Sequence, residues 1–304
     1  MHFSAEMFRP LPREKKSTQE IVRPSTTYWQ DAWRRLKKNP LAMAGLAFII
    51  FLLLLATFGP MISPYSYSDQ NLLNTFKGPS TKHWFGTDNL GRDVFTRVLY
   101  GARISLSIGI VASLVNFVIG VIYGGVAGYV GGKVDNVMMR IVDILYGIPF
   151  LLWVILLMVV IGPGLINIYI VLGVVYWLPM ARIVRGQILS LKEQEYVLAA
   201  KTIGSSSRRI LLRHLIPNTM GPIIVTMTLA IPEAIFTEAF LSFIGLGVSA
   251  PMASWGTLAS EALSSLKSHP YLLFFPAAAI CLTLFAFNFL GDGLRDALDP
   301  RMRK

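Results

Sequence analysis

The sequence has little charge and almost no cysteine. Of its 304 residues, 15% are charged and 54% are hydrophobic. Soluble domains carry about 25% charged residues, so this composition excludes an ordinary soluble fold and indicates an integral membrane protein. Cys281 is the only cysteine. That excludes an internal disulfide, and its apolar surroundings suggest a small buried residue. Nucleotide-binding and catalytic signatures are also missing. There is no GxxxxGK[ST] loop, and "GGKV" at 131–134 lacks both the first glycine and the Ser/Thr. "GLGVSA" at 245–250 matches a dinucleotide fingerprint only formally, because no strand of a βαβ unit precedes it. HExxH is absent, CxxC is impossible, and His2, His83, His214 and His269 are too far apart in sequence to suggest a metal pair. "DNLGRD" at 88–93 lacks calcium-loop spacing. These absences weigh against an enzyme, a metal site or a cofactor held by this chain.

The apolar residues are gathered into long runs. A helix needs roughly 20 apolar residues to cross the hydrocarbon core. Six runs reach that length, at about 41–62, 104–128, 137–161, 165–186, 218–247 and 271–291. The first follows a polar, basic stretch and is too long for a signal core, so it reads as a retained span. Net charge is +11, and most of the 28 Lys and Arg fall in segments 1–40, 129–140, 182–217 and 295–304. Bases beside apolar runs orient spans and meet anionic headgroups; nucleic acid is not the expected partner. The bias places both termini on the inner side, with 63–103 and 248–270 outside.

Before the first run, Trp29, Ala32, Trp33 and Leu36 recur at helical spacing, with Arg34, Arg35, Lys37 and Lys38 on the other face. This pattern predicts an interfacial helix on the inner leaflet. In the second run Ala112, Asn116, Gly120, Gly124, Gly128 and Gly132 lie four apart, a packing seam for another helix, with the lining of a pathway as the lesser alternative. Ionisable groups within spans are costly and invite a reason. Asp143 can pair with Arg140 three residues earlier. In the fifth run Glu238 falls near the outer interface and Glu233 deeper; both are candidates for a polar translocation path, with a buried structural hydrogen bond as the alternative for Glu233. Pro149, Pro179 and Pro232 can kink their helices.

One polar stretch interrupts the apolar pattern: "EYVLAAKTIGSSSRRILLRHLIPN", 195–218. Residues 191–203 avoid Pro and Gly and read as a short helix. Tyr196, Ala199, Ala200 and Ile203 share one small, mildly apolar face, suited to a groove on another protein. Gly204 permits a turn. Ser205, Ser206 or Ser207 can cap a following helix with Arg208, Arg209 and Arg213. By pattern alone this hairpin, 187–217, is a connector or a docking site.

"EYVLAAKTIG…LLRHLIPN" resembles the EAA signature of ABC importer permeases, through Glu195, Ala199, Ala200, Gly204, Ile216 and Pro217. "HWFGTDNLGRDVFTRVLYGARISL" (83–106), "EAFLSFIGLGVSAPMASWGTLASEAL" (238–263) and "GDGLRDALDPRMRK" (291–304) resemble the dipeptide/oligopeptide/nickel branch. From about residue 28 onward the chain looks most like the oligopeptide permease C subunit. The first 27 residues are not covered and are expected to be poorly ordered.

The resemblance implies an all-α, six-helix type I ABC importer permease in a bacterial or archaeal cytoplasmic membrane. Its parts would be a cytoplasmic tail (1–40), a first helix with an outer segment (41–103) and a permease core (104–304). It implies a second homologous permease, two cytoplasmic ATPases carrying ATP and Mg, and an extracytoplasmic peptide-binding protein. Glu195, Tyr196, Ala199, Ala200, Ile203, Gly204, Arg208 and Arg209 would couple to the ATPases. The cargo would be peptides, oligopeptides foremost, with dipeptides or nickel chelates as alternatives. A secondary transporter or channel would instead show an inverted repeat and midplane charge pairs, and no convincing repeat is visible.

Overall fold

The computed structural model describes residues 27–299. The expectation for the amino-terminal tail falls, save for Thr27, outside that range, as do the last basic residues. The described residues are helical, with one isolated bridge pair between Thr87 and Asp93.

Capping side chains set where helices start. Thr27 and Gln30 close a capping box at α1 (Tyr28–Leu36). Asn39 accepts from the Ala42 amide at 3.2 Å to start α2 (Pro40–Ile62), where Pro40 occupies a position that needs no N–H. Asp93 takes the Thr96 amide at 2.8 Å and its hydroxyl at 2.7 Å, and so starts α3 (Val94–Val130) ten residues before the predicted apolar run. At 1.5 Å per residue, α3 is about 55 Å long, well beyond a hydrocarbon core of about 30 Å. Its first turns therefore stand outside the membrane. The amphipathic α1 forms as expected. Ala32 and Leu36 are buried, Trp29 and Trp33 are exposed, and the Tyr28 hydroxyl donates to the Leu298 carbonyl.

The remaining elements are α4 (Gly132–Tyr146), α5 (Phe150–Ile161), α6 (Leu165–Val175), α7 (Trp177–Leu191), α8 (Glu195–Thr202), α9 (Ser207–Arg209), a π-helical turn at Ile210–Leu215, α10 (Ile216–Asn218), α11 (Met220–Phe243), α12 (Trp255–Ala262) and α13 (Tyr271–Leu298), with short 3-10 turns at Leu72–Asn74 and Leu263–Ser265. Five stretches are long and apolar enough to cross a membrane: α2, α3, α6 with α7, α11 and α13. The third predicted run differs. It forms α4 and α5, bent by 79°. Gly147 ends α4, and Pro149 disfavours helix at the residue before it and offers no N–H. Counted as one broken span, this pair brings the total to six.

The tightest packing joins α3 to α7. A Cβ on Gly120 would lie 2.5 Å from Met180 Cβ, one on Gly124 would fall on the Ala181 carbonyl, and one on Gly128 would lie 2.9 Å from the Arg185 carbonyl. The small-residue seam is therefore real at these three positions. Gly132 does not belong to it. It begins α4, and a Cβ there would meet nothing within 4 Å, because the chain has already turned away from α7.

Two other expectations are corrected. Asp143 pairs with Arg182 on α7 at 2.7 Å rather than with Arg140, and Asp135 binds Arg185 at 2.5 Å beside it. Both pairs tie α4 to α7. Cys281 is exposed in the isolated chain, because α13 turns that face away from its neighbours.

At the outer end of α3 the 83–106 and 238–263 blocks meet. Asp88 accepts the Leu90 and Arg92 amides at 2.9 Å, which shapes the "DNLGRD" turn. Its carboxylate pairs with Arg92 and Arg97, both at 2.6 Å, and Glu261 pairs with the same arginines at 3.0 and 2.7 Å. Arg97 is 1% exposed. Buried charges are tolerable only when paired this closely. Trp255, the first residue of α12, completes the contact: its indole donates to the Val98 carbonyl at 3.0 Å and its amide to Ser105 at 3.2 Å.

The seam gives a paired prediction. A Cβ on Gly125 meets Leu211 at 3.7 Å and Ile216 at 4.0 Å, both ordinary contacts. Gly124→Ala should destabilise by about 1–3 kcal/mol, the usual range for overpacking, whereas Gly125→Ala should be near neutral. Thermal unfolding of the two variants in detergent measures this. Equal midpoints would show that α3 and α7 can separate without loss.

Candidate functional site

Two regions can do something beyond packing. The first is the hairpin after α7. Helix α8 begins at Glu195, later than the predicted 191, because α7 continues to Leu191. Val197 and Ala200 are buried in a cluster with Val121 of α3, Met180, Val184 and Ile188 of α7 and Ile223 of α11. Ala200 thus belongs to the inner face, not to the outward face the spacing suggested. The 100° step per residue allows either assignment, and packing on α7 decides. The outward face carries Tyr196, Leu198 and Ile203, at 41%, 45% and 82% exposure, together with Glu195, Ala199 and Lys201. Leu198 was not singled out from the sequence.

Gly204 sits at φ +79, and its amide and that of Ser205 close the helix on Lys201 and Ala200. Of the three serines, Ser206 is the cap, accepting from the Arg209 amide. Arg208, Arg209 and Arg213 are exposed. Partial burial pushes the Tyr196 phenol up, and a hydrogen bond with Asn218 offsets part of that. The result is an apolar knob, ringed by bases and backed by a rigid core. Exposed apolar patches rimmed by polar groups are typical of protein contacts.

The second region is a cavity of about 270 Å³ at midspan. Its polar lining is Asn116 from α3, Tyr146 from the end of α4, Tyr176 from the α6–α7 junction, and Thr226 and Glu233 from α11. Tyr176 lies where α6 gives way to α7, and its hydroxyl is 3.1 Å from Thr237 Oγ1. Glu233 is exposed in the isolated chain and faces this space.

Glu238, five residues on, does not line it. Glu238 is 0% exposed, and it accepts from Ser105 at 3.1 Å and Ser242 at 2.7 Å. Ser105 also holds the Trp255 amide. Glu238 is therefore a structural link joining α3, α11 and α12. Five residues along a helix is a rotation of about 140°, enough to send the two carboxylates to opposite sides. The sequence offered Asn116 as part of the seam, with a pathway lining as the lesser alternative. A polar residue among small ones at mid-run was the signal that it faces something else.

Comparisons with known proteins identify the family and the fold. A family model described as "Binding-protein-dependent transport system inner membrane component" matches residues 116–304, and one described as "N-terminal TM domain of oligopeptide transport permease C" matches residues 27–79. The dipeptide transport system permease protein DppC of Bacillus subtilis (strain 168) is 59% identical, over 97% of this chain and 92% of its own length. The oligopeptide transport system permease protein OppC of the same strain is 55% identical, over 98% of each chain. A solved inward-facing MetNI methionine ABC transporter aligns with TM-score 0.52 and 19% identity, over 66% of this chain and 94% of that chain, and shares the fold. This multi-pass, all-helical chain belongs to the family of binding-protein-dependent transport system inner membrane components, the permease subunits of ABC importers.

Proposed function

We propose that this chain forms half of a peptide translocation path in an ATP-driven importer of a bacterial cytoplasmic membrane. One observation carries the reading. The exposed knob of α8 is fixed through Val197 and Ala200 to α3, α7 and α11, and those same helices line the midspan cavity. A push on α8 therefore reaches the cavity through packed side chains rather than through a flexible loop. That suits alternating access by rigid-body movement.

In this reading both termini and α8 lie in the cytoplasm, in line with the distribution of Lys and Arg. Two ATPase subunits hold the ATP and Mg, and this chain holds no cofactor. Tyr196, Leu198 and Ile203 enter a groove on one ATPase, while Glu195, Arg208 and Arg209 make polar contacts around it. Gly204 keeps the turn after α8. Ala199 lets the groove wall approach, and Ala200 anchors the helix from behind. A second, homologous permease closes the open side of the cavity at Glu233. The outer surface formed by 63–93 and α12 receives an extracytoplasmic binding protein. The named functions of the relatives, dipeptide and oligopeptide transport, support peptides as the cargo.

Coupling is tested in the reconstituted complex. Proline cannot adopt the positive φ of Gly204, so Gly204→Pro should cut peptide-stimulated ATP turnover by roughly tenfold or more, equivalent to about 1.4 kcal/mol of lost coupling. Glu195→Lys should lower it in the same direction. Full stimulated turnover in both would remove α8 from the coupling route.

Transport is tested in liposomes holding all subunits. Labelled tripeptide should accumulate only with ATP and binding protein present. Accumulation without ATP would instead indicate a secondary transporter.

A further inference from the structure

The midspan cavity has an unbalanced set of polar groups. Asn116, Tyr176 and Glu233 lie near the middles of three separate spans, where polar groups are expensive and normally partnered. Tyr176 has a partner in Thr237, which in turn donates to the Glu233 carbonyl at 2.9 Å. The Glu233 carboxylate has neither a hydrogen bond nor an ion pair among the described residues. Asn116 is 2% exposed, and its Oδ1 is buried without a partner. Three such orphaned atoms occur among the described residues. Arg97 Nε and His269 Nδ1 belong to the outer end, and Asn116 Oδ1 is the one at midspan. A volume of about 270 Å³ far exceeds the roughly 30 Å³ share of one water, so a single structural water does not fill the space. The rest of the lining is largely apolar, including Phe150 and Leu229.

From this geometry, and resting on the peptide-importer reading, we propose that Glu233 and Asn116 form a subsite for the amino terminus of a peptide in transit. An α-ammonium brings a positive charge and three N–H donors, and a carboxylate neutralises the first and accepts the second. The peptide group next to that ammonium has one donor and one acceptor. A side-chain amide such as that of Asn116 matches both, whichever way it is turned. A lysine ammonium lies four methylenes from its nearest peptide group and cannot use the pair in that way. A divalent cation would need more oxygen ligands than one carboxylate and one amide supply.

The test uses the complete permease–ATPase complex without binding protein, in a Cys281→Ala background with Thr226→Cys as a cavity thiol. Its modification by a cationic methanethiosulfonate reagent is timed in the presence of three probes: Ala-Ala-Ala amide, N-acetyl-Ala-Ala-Ala amide and N-acetyl-Ala-Lys-Ala amide. The free-amine peptide should protect the thiol and the two acetylated peptides should not. Glu233→Gln should weaken that protection roughly tenfold, the loss of about one charged hydrogen bond. Asn116→Leu should weaken it in the same direction, and Glu233→Asp should retain part of it. Equal protection by the acetylated peptides, protection by the lysine probe alone, no protection at all, or protection unchanged in Glu233→Gln would each overturn the proposal. ATP-driven peptide uptake by the unsubstituted complex, with binding protein added, is measured alongside. If uptake is intact without selective protection, the subsite falls and the importer stands; if uptake is absent, the importer reading itself falls.

Discussion

The backbones of α3 and α7 run so close along Gly120, Gly124 and Gly128 that no side chain fits between them, and most of the other structural features depend on that contact. In lipid there is little hydrophobic force between helices, so close packing of small residues must hold them together. The seam fixes the rotation of α7 about its own axis. That rotation turns Arg182 and Arg185 toward Asp143 and Asp135 on α4. It also carries the polypeptide out of the span at Leu191 in the direction that seats Val197 and Ala200 on the α3, α7 and α11 cluster.

Helix α3 thus works as a common axis. Its outer end is fixed by Asp93 and by the Asp88, Arg92, Arg97 and Glu261 cluster. Just inside, Ser105 shares its hydroxyl between Glu238 and the Trp255 amide, so α12 and α11 are held on the same helix. The middle of α3 carries Asn116 at the cavity, and its other half carries the seam. In the proposed reading, load applied at α8 and contact at the outer surface would act on one rigid element. This is physical grounds for coupling between the two membrane faces, because packed interfaces shift as units rather than deform continuously.

Much of this was legible in the residues. Long apolar runs can only be helices, since the membrane offers no other partner for backbone N–H and C=O groups. The amphipathic α1, the turn at Gly204 and the serine cap follow from local rules that hold within four or five residues. The glycine spacing announced a close helix contact, though not where it stopped. Gly132 continues the four-residue rhythm, yet it begins the next helix. Pro149 announced a kink, but its size, 79°, follows from how α5 repacks after the break.

The sequence by itself determined the class, the apolar runs that become spans, the polar hairpin and the family resemblance. Only the tertiary structure decided partners. Asp143 chooses Arg182 over the nearer Arg140, Ala200 turns inward, and Glu238 becomes a buried link while Glu233 faces the cavity. The reason is geometric. Periodicity tells which residues share a face of one helix, but not which way that face is turned. That rotation comes from contacts with helices dozens of residues away, here chiefly the seam between α3 and α7.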